Sequence, residues 1–176
     1  KFYVKRKIPE PRSFLAKAFG MNSCEDTVRA YILGTHGSLP NINYEEVGNL
    51  LSDDFAFSNE EQHHDKHALL VYVFPGWSSI VEGHSEARIH TLCSDSSNSV
   101  VLAHWETDYD CRDGAIWYGT DVDISKKIVR KFQVFASFTF ASDGKIKKIV
   151  QRSDTVVKLL GIEKEVQAYR NNHSAK

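Results

Sequence analysis

Residues Ile128–Gly161, IVRKFQVFASFTFASDGKIKKIVQRSDTVVKLLG, decide how this chain folds. They divide into strand, tight turn, strand and short helix. The strand Ile128–Phe140 is followed by Ser142-Asp143-Gly144, a second strand Lys145–Gln151, and a helix Asp154–Leu160 stopped by Gly161. Asp-Gly between two β-rich runs is a hairpin signal, because glycine accepts the positive φ that the turn demands. Asp154 is placed to cap a helix whose Val156, Val157, Leu159 and Leu160 form an apolar side, and Gly161 suits the position just past its end.

Toward the N-terminus the patterns are chiefly helical, with one short strand among them. Ser23 or Asp26 can cap a helix over Glu25–Leu33, with Val28, Tyr31 and Ile32 on one face and Gly34 as its stop. Asn43 followed by Glu46 is a capping-box pattern that opens a second helix, Tyr44–Leu51. A short strand follows at Phe55–Ser58. In His63–Trp77, the residues Leu69, Val73 and Trp77 fall at helical spacing, although Leu69–Phe74 is β-rich and Pro75 interrupts it. Two long strands, Ser85–Ser94 and Ser99–Tyr109, precede the final hairpin, with a short strand or loop at Ala115–Asp121 between them and it. The order is helix, helix, strand, helix, then antiparallel strands, an α+β arrangement.

Length and composition narrow the classes. At 176 residues, 41% hydrophobic and 26% charged, the chain is one globular domain with room for a substantial core. The net charge of −1 offers no nucleic-acid footprint. It is unevenly spread: Lys1, Lys5, Arg6, Lys7, Arg12 and Lys17 stand against Glu10 alone in residues 1–20. This reads as a solvated basic arm over residues 1–22, with a targeting remnant or contact arm as alternatives. The first residue is Lys rather than Met, so the expectation is a segment of a longer precursor. The domain proper spans 23–162, and 163–176 form a helical tail with Ile162, Val166 and Tyr169 on one side. Cys24, Cys93 and Cys111 are widely spaced with no CxxC, which fits a reducing, cytoplasmic setting better than a disulfide framework or zinc site. No apolar run approaches the roughly 18 residues of a membrane span.

The segments VGNLLSDDFAF (Val47–Phe57) and FTFASDGKIKKIVQRSDTVVKLLG (Phe138–Gly161) resemble the NTF2-like, SnoaL-like cone superfamily over roughly Glu25–Gly161. The resemblance implies a curved antiparallel sheet with helices packed on its concave face, and it favours a helix over His63–Trp77. It also implies a pocket for a small apolar or aromatic molecule, without a cofactor or metal. In the strand Ile128–Phe140 both faces carry aromatics, so the convex face is expected to meet another subunit in a dimer or trimer.

Within that frame, the position of the SnoaL-like acid/base aspartate falls on Gln151, which exchanges no proton near neutrality. A weaker resemblance to scytalone dehydratases places their first pocket histidine at His90, in Arg88-Ile89-His90, and their second near Tyr109. The resulting register puts His90, Trp105, Tyr109, Gln133, Phe135 and Gln151 on the pocket side, with Tyr31 from the first helix. His90 would then serve as general base and Tyr109 as hydrogen-bond donor to a carbonyl or developing enolate, in an isomerase, cyclase or dehydratase. The competing reading is a non-catalytic module that binds a ligand or drives assembly. A register one residue different would make His104, Glu106 and Asp108 the pocket set. His63 and His67, at i and i+4, would share a helix face as on a metal site, but no third ligand is evident.

Overall fold

The computed structural model describes residues 23–59, 62–95, 99–117, 119–153 and 156–173. The expected basic arm over 1–22 and the expected cap at Asp154 lie outside them. Helix α1 (Cys24–Thr35) starts as expected, with the Ser23 side chain accepting a hydrogen bond from the Asp26 N–H at 3.2 Å. Its buried face is Val28, Tyr31, Ile32 and Thr35, the i, i+3, i+4, i+7 stripe of an amphipathic helix. The helix passes through Gly34 and ends one residue later, because the stripe continues to Thr35, whose hydroxyl donates to the Tyr31 carbonyl at 2.7 Å. Helix α2 (Tyr44–Leu50) is capped by Asn43, which accepts from the Glu46 N–H at 3.3 Å.

Strand β1 (Leu51–Ser58) pairs with a short strand β2 (His63–Asp65). Helix α3 then runs in three pieces: a turn Lys66–Ala68, a π segment Leu69–Val73 and an α segment Phe74–Ile80. The helix therefore opens three residues later than the sequence suggested. Asp65 ends the strand and accepts from the Ala68 N–H at 2.7 Å. His63 sits in β2, so the helical pairing of His63 with His67 does not form. Pro75 does not break the helix. The Phe74 N–H bonds to the Leu69 carbonyl, five residues back, and this widened turn precedes the residue that has no N–H to give.

Strands β3 (Val81–Ser94), β4 (Val100–Cys111), β5 (Ile128–Phe140) and β6 (Ile146–Ser153) complete a six-stranded sheet of order β2-β1-β6-β5-β4-β3. Its pairs are antiparallel except β1–β6, which is parallel, a correction to the uniformly antiparallel expectation. The β5–β6 turn is the expected one: Gly144 has φ +85°, and the Lys145 N–H is held by Asp143 at 3.1 Å. Helix α4 (Val156–Leu159) ends at Gly161 with φ +66°, and the Ile162 N–H returns to the Val157 carbonyl at 3.0 Å, closing a Schellman turn. Helix α5 (Glu163–His173) docks through Val166. The helices lie against one face of the curved sheet.

Two irregularities set which side chains meet those helices. On β4 the alternation is unbroken: Val101, Ala103, Trp105, Thr107, Tyr109 and Cys111 are buried inward, and Leu102, His104, Glu106, Asp108 and Asp110 face out. On β5, Thr107 pairs with Phe132 while Tyr109 pairs with Val129, a step of three residues against two. The extra residue is accommodated at Lys131, which has φ +54° and whose N–H donates to Asp108 at 2.6 Å. Inward residues are therefore Val129, then Phe132, Val134, Ala136 and Phe138, while Ile128 turns outward. On β3, Ile89 pairs with Trp105 and Thr91 with His104, so His90 is the extra residue of a second bulge.

Candidate functional site

Apolar side chains crowded at the centre of the sheet and shorter helices at its rim leave a cavity of about 260 Å³ between the two layers. Its walls mix hydrocarbon with polar groups. Phe57 of β1, Leu69, Val73, Phe74 and Trp77 of α3, Phe132 of β5 and Trp117 of the β4–β5 connection contribute rings and branched chains. Trp77 packs edge-on against both Tyr109 (5.9 Å between ring centres) and Trp117 (5.8 Å). The polar groups come from few places. The end of α1 supplies Tyr31, Thr35 and His36, β4 supplies Thr107 and Tyr109, and β6 supplies Gln151 and Ser153. Asn59, Gln62 and Arg170 also line it.

Burial keeps this lining uncharged at neutral pH apart from Arg170. It pushes the His36 imidazole down to about 4 and raises the phenols of Tyr31 and Tyr109, so the histidine is neutral and both tyrosines keep their protons. The His36 ring lies edge-on to Trp105 at 5.2 Å. Behind and along the wall, the Trp105 indole N–H and the Thr107 and Tyr109 hydroxyls are buried without a hydrogen-bond partner among the described residues. A buried hydroxyl left unpaired costs about 1–3 kcal/mol, so these are departures from the usual rule that buried polar groups are satisfied.

Of the residues the sequence singled out, Tyr31, Tyr109 and Gln151 meet at this cavity. Trp105 is fully buried behind it. His90, Gln133 and Phe135 do not join them; they stand on the opposite, outward face. The expectation that His90 and Tyr109 share a cavity is corrected by the bulge at His90, since one extra residue moves a side chain to the other face. The alternative set of His104, Glu106 and Asp108 is outward as well. There they form a saturated network. Arg88 donates to Glu106 at 2.7 Å and to Asp108 at 2.5 Å, Gln133 donates to Glu106 at 2.9 Å, and His90 lies 3.4 Å from Glu106. His104 bonds Gln133 at 2.6 Å and stacks on Phe135 at 4.2 Å. Arg88 and then Gln133 hold the Glu106 carboxyl down to about 2, so it stays ionised and is no proton donor.

His36 and Thr35 are pocket residues that sequence reading missed. The signal was the α1 stripe: extended one residue past Gly34, it delivers Thr35 to the same face as Tyr31 and Ile32, with His36 next. Among the described residues, no group of three His, Cys, Asp or Glu side chains is arranged to hold a metal ion. No described helix is long and apolar enough to cross a membrane.

No family model matches the chain, and no curated protein matches it. Solved structures do. A protein described as a SnoaL-like polyketide cyclase, from Jannaschia sp. CCS1, superposes with a TM-score of 0.61 at 14% identity, over 79% of this chain and 90% of that one. An NTF2-like protein from Burkholderia thailandensis E264 gives 0.59 at 11% identity, over 81% and 99%. An LEH-like epoxide hydrolase from M. tuberculosis gives 0.55 at 18%, over 82% and 92%. The fold is thus the NTF2-like, SnoaL-like cone. These identities establish architecture and not an activity.

The state of His36 has a consequence for stability. Its folded value of about 4 lies below the ordinary 6.5, so between those values the unfolded chain binds a proton that the folded chain refuses. Its contribution is complete above pH 6.5 and is lost progressively as pH falls toward 4. Urea denaturation across that range should show the midpoint falling with acid, and His36→Gln should flatten the slope. An unchanged slope in the variant would show that His36 is not held neutral.

Proposed function

We propose that this protein binds a small, uncharged, largely apolar molecule inside the cone. One observation carries the reading: the cavity is walled by aromatic and branched side chains, and none of its described ionisable groups changes charge near neutrality. His36 is held neutral, Tyr31 and Tyr109 are held protonated, and Arg170 is always charged. A general base works best with a pKa near the operating pH, and no described group meets that requirement. The non-catalytic reading is therefore preferred over the isomerase, cyclase or dehydratase. The proton-transfer reading keeps one observation in its favour: a neutral imidazole, His36, lines the same cavity as a hydroxyl donor, Tyr31. In that case His36, rather than His90, would take the proton.

A bicyclic ketone, decalone, serves as the probe for both readings. Trp77 and Trp117 line the cavity, so saturable binding should quench tryptophan fluorescence, and Val73→Trp, which fills the space, should abolish it. Binding that survives the filled cavity would overturn the reading. In deuterated buffer the binding module leaves the protons next to the carbonyl unexchanged. Enzyme-dependent exchange that falls about 10²–10⁴-fold in His36→Gln would decide for proton transfer.

The outward face supports an assembly proposal. Leu102 and Phe135 are 56% and 52% exposed there, beside the Arg88–Glu106 network. Phe132 and Phe138 of the same strand are buried within the chain itself, so Leu102 and Phe135 carry the proposal. Packing of a second copy would cover both. Light scattering at micromolar concentration should report a dimer or trimer that Phe135→Glu converts to monomer. A monomeric native protein would contradict the assembly.

A further inference from the structure

The polar groups around the cavity differ in what holds them. The Thr107 and Tyr109 hydroxyls and the Trp105 N–H are sealed inside the packing and cannot reach a bound molecule. The Thr35 hydroxyl is committed to the Tyr31 carbonyl at 2.7 Å. Gln62, Ser153 and Arg170 are exposed, and Asn59 and Gln151 are half-buried at the paired ends of β1 and β6, so these five form a solvated rim. Tyr31 and His36, at the end of α1, belong to neither set. Burial is the sole cause of the pKa shift in each, with no hydrogen bond contributing. Yet neither the Tyr31 oxygen nor a His36 nitrogen is among the sealed atoms, so both side chains keep polar surface that is open. Tyr31 is only 3% exposed, and what it keeps open faces the cavity that it lines with His36. Both rings are fixed from behind. Tyr31 packs edge-on against Phe138 at 5.8 Å and His36 edge-on against Trp105 at 5.2 Å, and Phe138 and Trp105 are wholly buried.

We infer that the end of α1 is a hydroxyl-binding subsite: the cavity takes an apolar alcohol, with its hydroxyl at Tyr31 and His36 and its hydrocarbon body against Leu69, Phe74 and Trp77 of α3. The chemistry of the pair selects the group. The protonated phenol of Tyr31 donates, and a neutral imidazole keeps one nitrogen with a lone pair to accept. A hydroxyl takes a hydrogen bond from the first and gives one to the second. A carbonyl only takes, and a hydrocarbon does neither. An ammonium or carboxylate would enter this inner end without a countercharge, since the one cationic lining group, Arg170, is on the rim. The inference rests on the proposed binding role and names the class of molecule bound.

Three compounds with one ring skeleton test it on the full chain: decalin, decalone and decalol, titrated by tryptophan fluorescence against the native protein, Tyr31→Phe and His36→Phe. Dividing each affinity by that of decalin for the same protein removes the contribution of the shared hydrocarbon. The decalol ratio should fall about fivefold in each variant, the worth of one hydrogen bond of about 1 kcal/mol. The decalone ratio should fall by a similar factor in Tyr31→Phe and stay unchanged in His36→Phe, because a ketone has no proton to give the imidazole. Thermal melting of the unliganded Tyr31→Phe should match the native protein, since its hydroxyl has no protein partner to lose, and this variant reads the donor half even where His36→Phe folds poorly. Equal loss of decalone and decalol in His36→Phe would mean that the imidazole presents its N–H, and would overturn the assignment to an alcohol. Ratios unchanged in both variants would overturn the subsite while leaving the apolar cavity reading intact. Failure of all three compounds to bind the native protein would remove the binding role itself, and the inference with it.

Discussion

The uninterrupted alternation of β4 is the constraint on which the rest of this structure depends. Six odd-numbered residues from Val101 to Cys111 point at the helices, and five even-numbered ones from Leu102 to Asp110 point away. Because β4 lies between β3 and β5, its phase must be matched by both neighbours. Neither matches without adjustment. The bulges at His90 and at Lys131 each absorb one residue, and a further irregularity on β3 between Glu82 and Glu86 sets four residues against two of β4. Asp108 pins the second bulge by accepting from the Lys131 N–H. A polar residue of the outer face thus secures the packing of the inner one.

That phasing separates two electrostatic environments across one strand's thickness. Outside, Arg88 is shared among Glu86, Glu106 and Asp108, and its guanidinium is held firmly protonated. Ionised groups are tolerable there because each has a partner and access to water. Inside, the same strand carries Trp105, Thr107 and Tyr109 among hydrocarbon, where ionisation is suppressed. The carboxylates a proton-transfer enzyme would want lie on β4, but on its outer side. The inner side offers none, which suits holding a molecule more than transforming it.

Much of the architecture was legible in the chain, and the reasons are local. The Asp143-Gly144 turn, the Asn43 cap and the Val28–Ile32 stripe are short-range signals, and each forms as read. The expected register correctly placed Trp105 and Tyr109 on one face of β4. The misplacement of His90 and Gln133 came from bulges, which leave no reliable mark in sequence: Lys131 adopts a positive φ that nothing in VRKFQ announces. Pro75 did not prevent the expected helix, since the π turn before it leaves its missing N–H unneeded. The parallel β1–β6 pairing was equally hidden, because strand order is a property of the whole sheet and not of either segment. His36 stayed unnoticed because a glycine marked the expected helix end just before it.

The central claim is that ligands enter the inner face, at the end of α1, and not the His90–His104 face. Histidine ring resonances report on both faces in one spectrum. On titrating the protein with decalone at neutral pH, the account expects the His36 carbon-bound ring protons to shift and broaden while those of His90 and His104 stay in place. Movement of His90 and His104 with His36 unchanged would contradict it.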